Sequence, residues 1–174
     1  DLKKIQGSQI IVRPAKAGER LLGIDEKIYA LDPKDLVIAD GARPVALAGV
    51  MGGKETEVTE GTCDILLESA FFQPAAVRQT SKRLALSTDS SYRFERRVDP
   101  EGVNWARERV IALILEHTEI QGITRLKMVG KKPGKRTTIL LTYEKLERTL
   151  GSMIPPAILE KIFKNLGLEI LQKN

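Results

Sequence analysis

A series of short apolar runs, separated by polar and turn-forming residues, constrains the fold of this sequence more than any other feature. Each run has the length of a β-strand and is too short for a helix. The runs lie at residues 10–13, 21–24, 27–31, 36–39, 45–48 and 65–67, and the last three are continuous enough to predict buried strands. The polar pair Asp25-Glu26 separates the second run from the third and predicts a hairpin turn.

Two prolines beyond this region mark the starts of helices. The fixed φ of proline suits the first helical position, so Pro74 predicts a helix over 74–84 and Pro100 predicts a longer one over 100–117. The longer helix carries an apolar stripe, formed by Val103, Ala106, Val110, Leu113 and Ile114. We therefore expect both helices to pack against a mixed β-sheet, which is an α+β fold.

A change in composition divides the chain near residue 130. Residues 131–136 are polar and contain proline and glycine, which is typical of a linker. Beyond them we predict a strand at 138–141, a helix at 143–150 between a Thr142 cap and Gly151, a helix at 156–166 and a strand at 168–171. The predicted organisation is one domain over 1–130 and, over 137–174, the start of a small winged-helix-like domain.

The net charge of +5 over 174 residues is unevenly distributed. Residues 1–124 hold 17 Lys/Arg against 19 Asp/Glu, whereas residues 125–174 hold 11 against 4. Residues 78–97 form a local basic segment with six basic and two acidic side chains. Such segments attract phosphate backbones, although a solvated surface is the commoner explanation of a charge run.

The small number of cysteine and histidine residues narrows the possible chemistry. The sequence has one cysteine, Cys63, and one histidine, His117. These counts exclude an internal disulfide, a multi-cysteine zinc site and a histidine-rich metal site. The hydroxyl-rich segment 87–91 has no histidine near it in the sequence, so a serine nucleophile with a histidine base is disfavoured and a cap or turn is expected. We predict Cys63 to be a buried structural thiol in a cytoplasmic protein. No apolar run is long enough to span a membrane, and a chain that starts at Asp1 without methionine is expected to be a piece of a longer protein.

Two features are candidates for a binding site. The glycines of segment 49–53 let a backbone approach a ligand closely, but no Gly-Lys-Ser/Thr follows, so a tight turn or bulge is the favoured interpretation of the glycine pair alone. Glu68 ends an apolar stretch in which a carboxylate must find a partner or shift its pKa. It either accepts a hydrogen bond from a ligand hydroxyl in an apolar pocket or pairs with an arginine such as Arg93 or Arg96, and the local pattern leaves both open.

Three motifs give this sequence a family resemblance. They are ALAGVMGG at 46–53, ILLESAFF at 65–72 and RLALSTDSSYRFERRVDP at 83–100. In this order they resemble the central editing module of the beta subunit of bacterial phenylalanyl-tRNA synthetases. The resemblance extends over about residues 1–129, and residues 137–174 resemble the small domain that follows.

The resemblance implies a proofreading function within an enzyme that attaches phenylalanine to tRNA(Phe). The family's beta subunit hydrolyses mischarged Tyr-tRNA(Phe), because a pocket shaped for Phe rejects a side chain with one extra hydroxyl only about 10²-fold. The resemblance further implies tRNA(Phe) as substrate, an alpha-subunit partner in a heterotetramer of two alpha and two beta chains, and a cytoplasmic location. ATP and Mg²⁺ are implied for the whole enzyme, with no cofactor expected in this fragment.

The same resemblance assigns candidate site residues. Glu68 matches the glutamate that recognises the tyrosine hydroxyl, Met51, Gly52 and Gly53 match the segment that lines the pocket, and Thr88 matches a pocket threonine. Ser90 stands where the family often has alanine, and the family's pocket histidine lies upstream of the segment that corresponds to Asp1. The expected mechanism uses an oriented water and the terminal ribose hydroxyl, without a side-chain nucleophile or metal. A non-catalytic tRNA-binding module and a structural scaffold of the synthetase remain the alternatives.

Overall fold

The computed structural model describes residues 1–120, 122–124, 126–130 and 138–171. They belong to two compact units, Asp1–Pro133 and Gly134–Asn174. The predicted linker at 131–136 lies outside the described residues. None of the helices in the described part of the chain is long and apolar enough to cross a lipid bilayer.

The first unit is built on two small β-sheets. The larger contains β1 (Ile11–Pro14), β4 (Leu36–Ala39), β5 (Pro44–Leu47) and β6 (Met51–Gly52), in the order β1-β4-β5-β6. The smaller is the predicted hairpin, which pairs β2 (Arg20–Leu22) with β3 (Ile28–Ala30).

All strand pairs of these sheets are antiparallel, so the expectation of a mixed sheet is wrong, although the α+β class is confirmed. The turns that join β2 to β3, β4 to β5 and β5 to β6 are only a few residues long. Parallel neighbours would need crossover connections of a dozen residues or more.

The hydrophobic core contains buried residues of both sheets and of the segment that follows them. The runs at 36–39 and 45–48 are buried as predicted, with Val37 fully buried and Leu47 only 1% exposed. Phe72 and Val77 extend the core, and the ring of Phe72 lies 5.2 Å from that of Phe94.

Two helices pack close to this core. The first, α1 (Pro74–Leu84), begins and ends as predicted, with Pro74 in its first turn. Thr80 on its buried face donates a hydrogen bond of 2.9 Å to the buried carboxylate of Asp35, which also binds Arg83. The second, α2 (Asp89–Phe94), arises within the hydroxyl-rich segment, where Thr88 and Ser91 form a reciprocal capping box.

The third helix, α3 (Gly102–His117), ends as predicted but begins two residues after Pro100, with Glu101 as its N-cap. Its expected packing is not observed. None of its residues is buried, and Trp105 is 73% exposed. The stripe that includes Val110 therefore faces no core within the described chain, and the prediction that this helix packs on the sheet is wrong.

Two further predictions in the first unit are wrong. Residues 65–67 are not a strand, and all three side chains are exposed, because no strand pairs with them among the described residues. Cys63 is exposed rather than buried, since the loop that carries it lies at the surface.

The second unit consists of two helices. They are α4 (Tyr143–Leu150), capped by the side chain of Thr142 and closed by Gly151 at φ +73°, and α5 (Pro156–Asn165). Both helices confirm the sequence prediction. The predicted strands at 138–141 and 168–171 are wrong, since neither segment forms a ladder within the described residues. The winged-helix-like assignment stays a prediction.

Candidate functional site

An open groove of about 510 Å³ lies in the first unit, along the edge of the larger sheet. Its wall is mainly apolar, and half of its lining residues come from β4, β5 and the segment 49–52. The other half come from the β2–β3 turn, Glu68, residues 88–90 and Phe94 at the end of α2. The predicted site residues Met51, Gly52, Glu68, Thr88 and Ser90 all line it, so folding brings residues from three separated motifs to one place.

The glycines of segment 49–53 have three different environments. Gly49 has φ +70°, and a Cβ there would lie 3.0 Å from Phe72 and 3.1 Å from Val77, so the turn requires glycine. A Cβ on Gly53 would lie 2.4 Å from the carbonyl oxygen of Val45. Gly53 is therefore required by strand packing, and it is not among the groove-lining residues.

Gly52 is the glycine that leaves the groove open. A Cβ added there would meet only Ile24 Cγ2, at 3.6 Å, which is an ordinary van der Waals distance. Its carbonyl oxygen accepts a hydrogen bond of 3.0 Å from the amide of Ile24, which attaches the β2–β3 turn to β6. The residue thus borders the groove without filling it.

Two hydroxyl groups fasten α2 to the glycine segment. Thr88 Oγ1 donates to the carbonyl oxygen of Val50 at 2.8 Å and accepts from the amide of Ser91 at 3.0 Å. Ser90 Oγ donates to the carbonyl oxygen of Gly49 at 3.0 Å. Both hydroxyl protons are thus used by backbone carbonyls.

Glu68 lines the groove without a protein partner in the described part of the chain. Neither Arg93 nor Arg96 pairs with it; Arg96 instead binds Glu95 and stacks over the ring of Tyr92 at 3.7 Å. Glu68 is exposed, but the protein atoms around its carboxyl weaken the hydration of the charged form and raise its pKa above the ordinary value. Of the two interpretations left open by the sequence, this geometry favours a carboxylate available to a ligand.

Comparison with known proteins places the chain in a family. The B3/4 domain family matches residues 1–119. The chain belongs to the B3/4 domain family. It is also 44% identical over 98% of its length to the phenylalanine–tRNA ligase beta subunit of Rhodopirellula baltica and 39% identical over 99% to that of Syntrophus aciditrophicus. Over 67% of its length it is 52% identical to the corresponding subunit of Aquifex aeolicus.

These relatives confirm the resemblance to phenylalanyl-tRNA synthetase beta subunits. The chain spans 25% of the length of the Rhodopirellula baltica protein and 22% of that from Syntrophus aciditrophicus. The comparison therefore concerns one B3/4 domain and a short segment after it, within much longer subunits.

The groove of this B3/4 domain contains two carboxylates that sequence reasoning did not assign to it, Asp25 and Asp89. Asp25 was interpreted only as part of a hairpin turn. The turn places it beside the groove, where its Oδ2 accepts a hydrogen bond of 2.5 Å from the Tyr29 hydroxyl. This bond lowers the pKa of Asp25, and burial together with Asp25 raises the pKa of Tyr29 to about 12. No local pattern marks the position of Asp25 in the groove, because that position depends on how the hairpin docks on β6.

Proposed function

We propose that this B3/4 domain is the proofreading module of a phenylalanyl-tRNA synthetase beta subunit and that its groove hydrolyses mischarged Tyr-tRNA(Phe). The observation that carries the proposal is the Glu68 carboxylate, which borders a mainly apolar groove and has no partner among the described residues. The names of the similar proteins support the synthetase part of the proposal.

The groove supplies the chemistry for distinguishing tyrosine from phenylalanine. Its apolar wall accepts an aromatic ring, and Glu68 accepts a hydrogen bond from the phenolic hydroxyl. A phenylalanyl group would occupy the same wall but leave the carboxylate desolvated and unpaired. Sites that hydrogen-bond a substrate hydroxyl reject the analogue that lacks it by about 10⁴–10⁵-fold.

Hydrolysis in this groove proceeds by attack of water on the ester. Thr88 and Ser90 donate their hydroxyl protons to carbonyl oxygens, and Cys63 and His117 are not groove-lining residues. The domain's contribution is to fix the ester beside Gly52, where the backbone can approach it closely. A water oriented there attacks the ester carbonyl carbon with help from the neighbouring terminal ribose hydroxyl. The bond from that carbon to the ribose oxygen breaks, which releases tyrosine and uncharged tRNA.

The whole enzyme provides the remaining parts of the proposal. We infer an alpha-subunit partner, two copies of each subunit, tRNA(Phe) as substrate and a cytoplasmic location. ATP and Mg²⁺ serve amino-acid activation elsewhere in the complex. Within the described residues no three His, Cys, Asp or Glu side chains are grouped to share a metal ion.

The test is deacylation by the complete synthetase carrying Glu68→Ala. We expect the ratio of kcat/KM for Tyr-tRNA(Phe) to that for Phe-tRNA(Phe) to fall at least about 10²-fold, because the phenol loses its acceptor. Glu60→Ala is the matched control, since Glu60 is an exposed glutamate outside the groove. An unchanged ratio in Glu68→Ala would refute the recognition function.

A second candidate, a tRNA-binding module without chemistry, is favoured by the basic segment 78–97. Arg93 lies on the same helix as Asp89 and Ser90, is exposed and forms no ion pair among the described residues. Salt-dependent tRNA binding by a synthetase that leaves Tyr-tRNA(Phe) intact would favour this candidate. A purely structural scaffold is disfavoured, because Glu68 forms no ion pair with an arginine among the described residues.

A further inference from the structure

The charge of the groove is opposite in sign to that of the chain. Asp25, Glu68 and Asp89 line it, and none of the lysine, arginine or histidine residues that the structure describes does, although the chain carries a net charge of +5. Phosphate groups would be repelled from such a surface, whereas a cationic ligand group would be attracted. The groove therefore suits a ligand that combines an apolar body with a positive charge.

Asp25 is the carboxylate that the fold holds in place for this charge. The Tyr29 hydroxyl donates to Oδ2, which fixes the carboxylate and favours its ionised form. The amide of Ile24 donates to the Gly52 carbonyl oxygen, and Gly23 bridges to Gly53, so the turn that carries Asp25 is attached to the glycine segment. Lys27 is a weak competitor, since its Nζ lies 3.9 Å from Oδ2 on a largely exposed side chain.

The other two carboxylates have different surroundings. Asp89 lies in the first turn of α2, where its charge is offset by backbone amides at the start of the helix. Glu68 also lines the groove and is the proposed acceptor for the phenolic hydroxyl. Asp25 is thus the ionised, oriented carboxylate that the proposed function leaves unused.

We propose that Asp25 binds the α-ammonium group of the amino acid that is esterified to the tRNA. This inference rests on the proposed function and specifies its substrate as an aminoacyl ester with a free, protonated amine. An α-amino group has a pKa of about 7.7–8.0 in model peptides, and a neighbouring carboxylate favours its charged form. With Asp25 at the ammonium and Glu68 at the phenol, the two polar groups of a tyrosyl ester are recognised separately.

The experiment compares two esters of tRNA(Phe) in the complete synthetase. One carries tyrosine, and the other carries 3-(4-hydroxyphenyl)propionate, in which a hydrogen atom replaces the ammonium. Asp25→Asn removes the charge but keeps an oxygen that accepts from the Tyr29 hydroxyl. Glu26→Gln is the control, because it neutralises the adjacent carboxylate of the same turn, which does not line the groove.

For Asp25→Asn we expect kcat/KM for the tyrosyl ester to fall roughly 10- to 100-fold, mainly through KM, because a charged hydrogen bond is lost. The desamino ester should react equally with wild type and Asp25→Asn, and Glu26→Gln should match wild type on both esters. Equal losses on both esters would show that Asp25 acts only on the fold, and no loss on the tyrosyl ester would show that it does not bind the ammonium; either overturns the inference alone. A wild-type synthetase that leaves Tyr-tRNA(Phe) intact would overturn the proposed function together with this inference.

Discussion

The apolar runs around Leu47 and around Leu66 look alike in the sequence and have opposite environments in the structure. Each is a continuous apolar segment of strand length. Leu47 is 1% exposed at the centre of the larger sheet, whereas Leu66 is 52% exposed in a segment without regular structure. The difference shows that apolar composition permits a buried strand but does not create one.

Hydrogen-bonding partners account for the difference. β5, which contains Leu47, pairs with β4 on one side and β6 on the other, so its backbone groups have ladder partners. Its buried side chains belong to the same core cluster as Phe72 and Val77. Residues 65–67 have no ladder with any described strand. Buried backbone without such partners would be costly, so the segment stays at the surface.

Matched leucine truncations provide the largest expected effect. Leu47→Ala should lower the free energy of unfolding by about 3–5 kcal/mol, since it removes buried methyl groups and leaves a cavity. Leu66→Ala should change it by less than about 0.5 kcal/mol, as is typical of surface positions. Urea denaturation of the 174-residue chain, followed by circular dichroism, measures both. Similar losses from the two variants would mean that Leu66 is packed, contrary to the structure.

Local patterns predicted the elements whose stability depends on neighbours in the sequence. Pro74 begins α1, Thr142 caps α4, and Asp25-Glu26 turns the β2–β3 hairpin, because each of these signals acts within a few residues. The antiparallel order of the larger sheet, the exposure of 65–67 and the exposed α3 depend on contacts between distant segments. No property of those segments alone specifies them.

The candidate site also contains residues that the sequence predicted and residues that only the folded structure reveals. The family motifs predicted that Gly52, Glu68 and Thr88 belong together, and the groove contains all three. Asp25 has no recognisable motif and enters the groove only because its hairpin docks on β6. Gly53 has the sequence context of a pocket glycine, but the Val45 carbonyl oxygen beside it gives it a packing role.

A second matched pair compares Gly49→Ala with Gly52→Ala. The fold requires glycine at position 49, whereas a side chain at position 52 has room beside the groove. Gly49→Ala should destabilise the chain by about 1–3 kcal/mol, because alanine is strained at positive φ and its Cβ would press on Phe72 and Val77. Gly52→Ala should leave the unfolding free energy almost unchanged, since its Cβ has room. Thermal and urea unfolding of the two variants provide the comparison. A larger loss for Gly52→Ala than for Gly49→Ala would contradict these environments.

The smallest expected effect concerns the aspartates beside the two apolar runs, Asp40 after β4 and Asp64 before residue 65. Asp40 is 2% exposed, and its carboxylate accepts hydrogen bonds from the amides of Gln6, Ala42 and Arg43 at 2.8–3.0 Å. Burial by itself would raise the pKa of Asp40, but these amides and the nearby Arg43 charge outweigh it and lower the pKa. The carboxylate of Asp64 forms an exposed ion pair with Lys3, 3.4 Å long.

The lowered pKa of Asp40 determines how stability depends on pH. Because the folded chain holds this carboxyl ionised more strongly than the unfolded chain, its stabilisation is complete above the unfolded pKa of about 3.9 and is lost as the pH falls through the lower folded pKa. Asp40→Asn should therefore cost about 1 kcal/mol at pH 7, and the difference from wild type should shrink below about pH 4. Asp64→Asn should stay within about 0.5 kcal/mol of wild type from pH 7 to pH 3, because exposed ion pairs contribute little. Urea titrations at pH 7, 5, 4 and 3 measure these differences, and a cost of Asp40→Asn that grows on acidification would contradict the assigned direction of the shift.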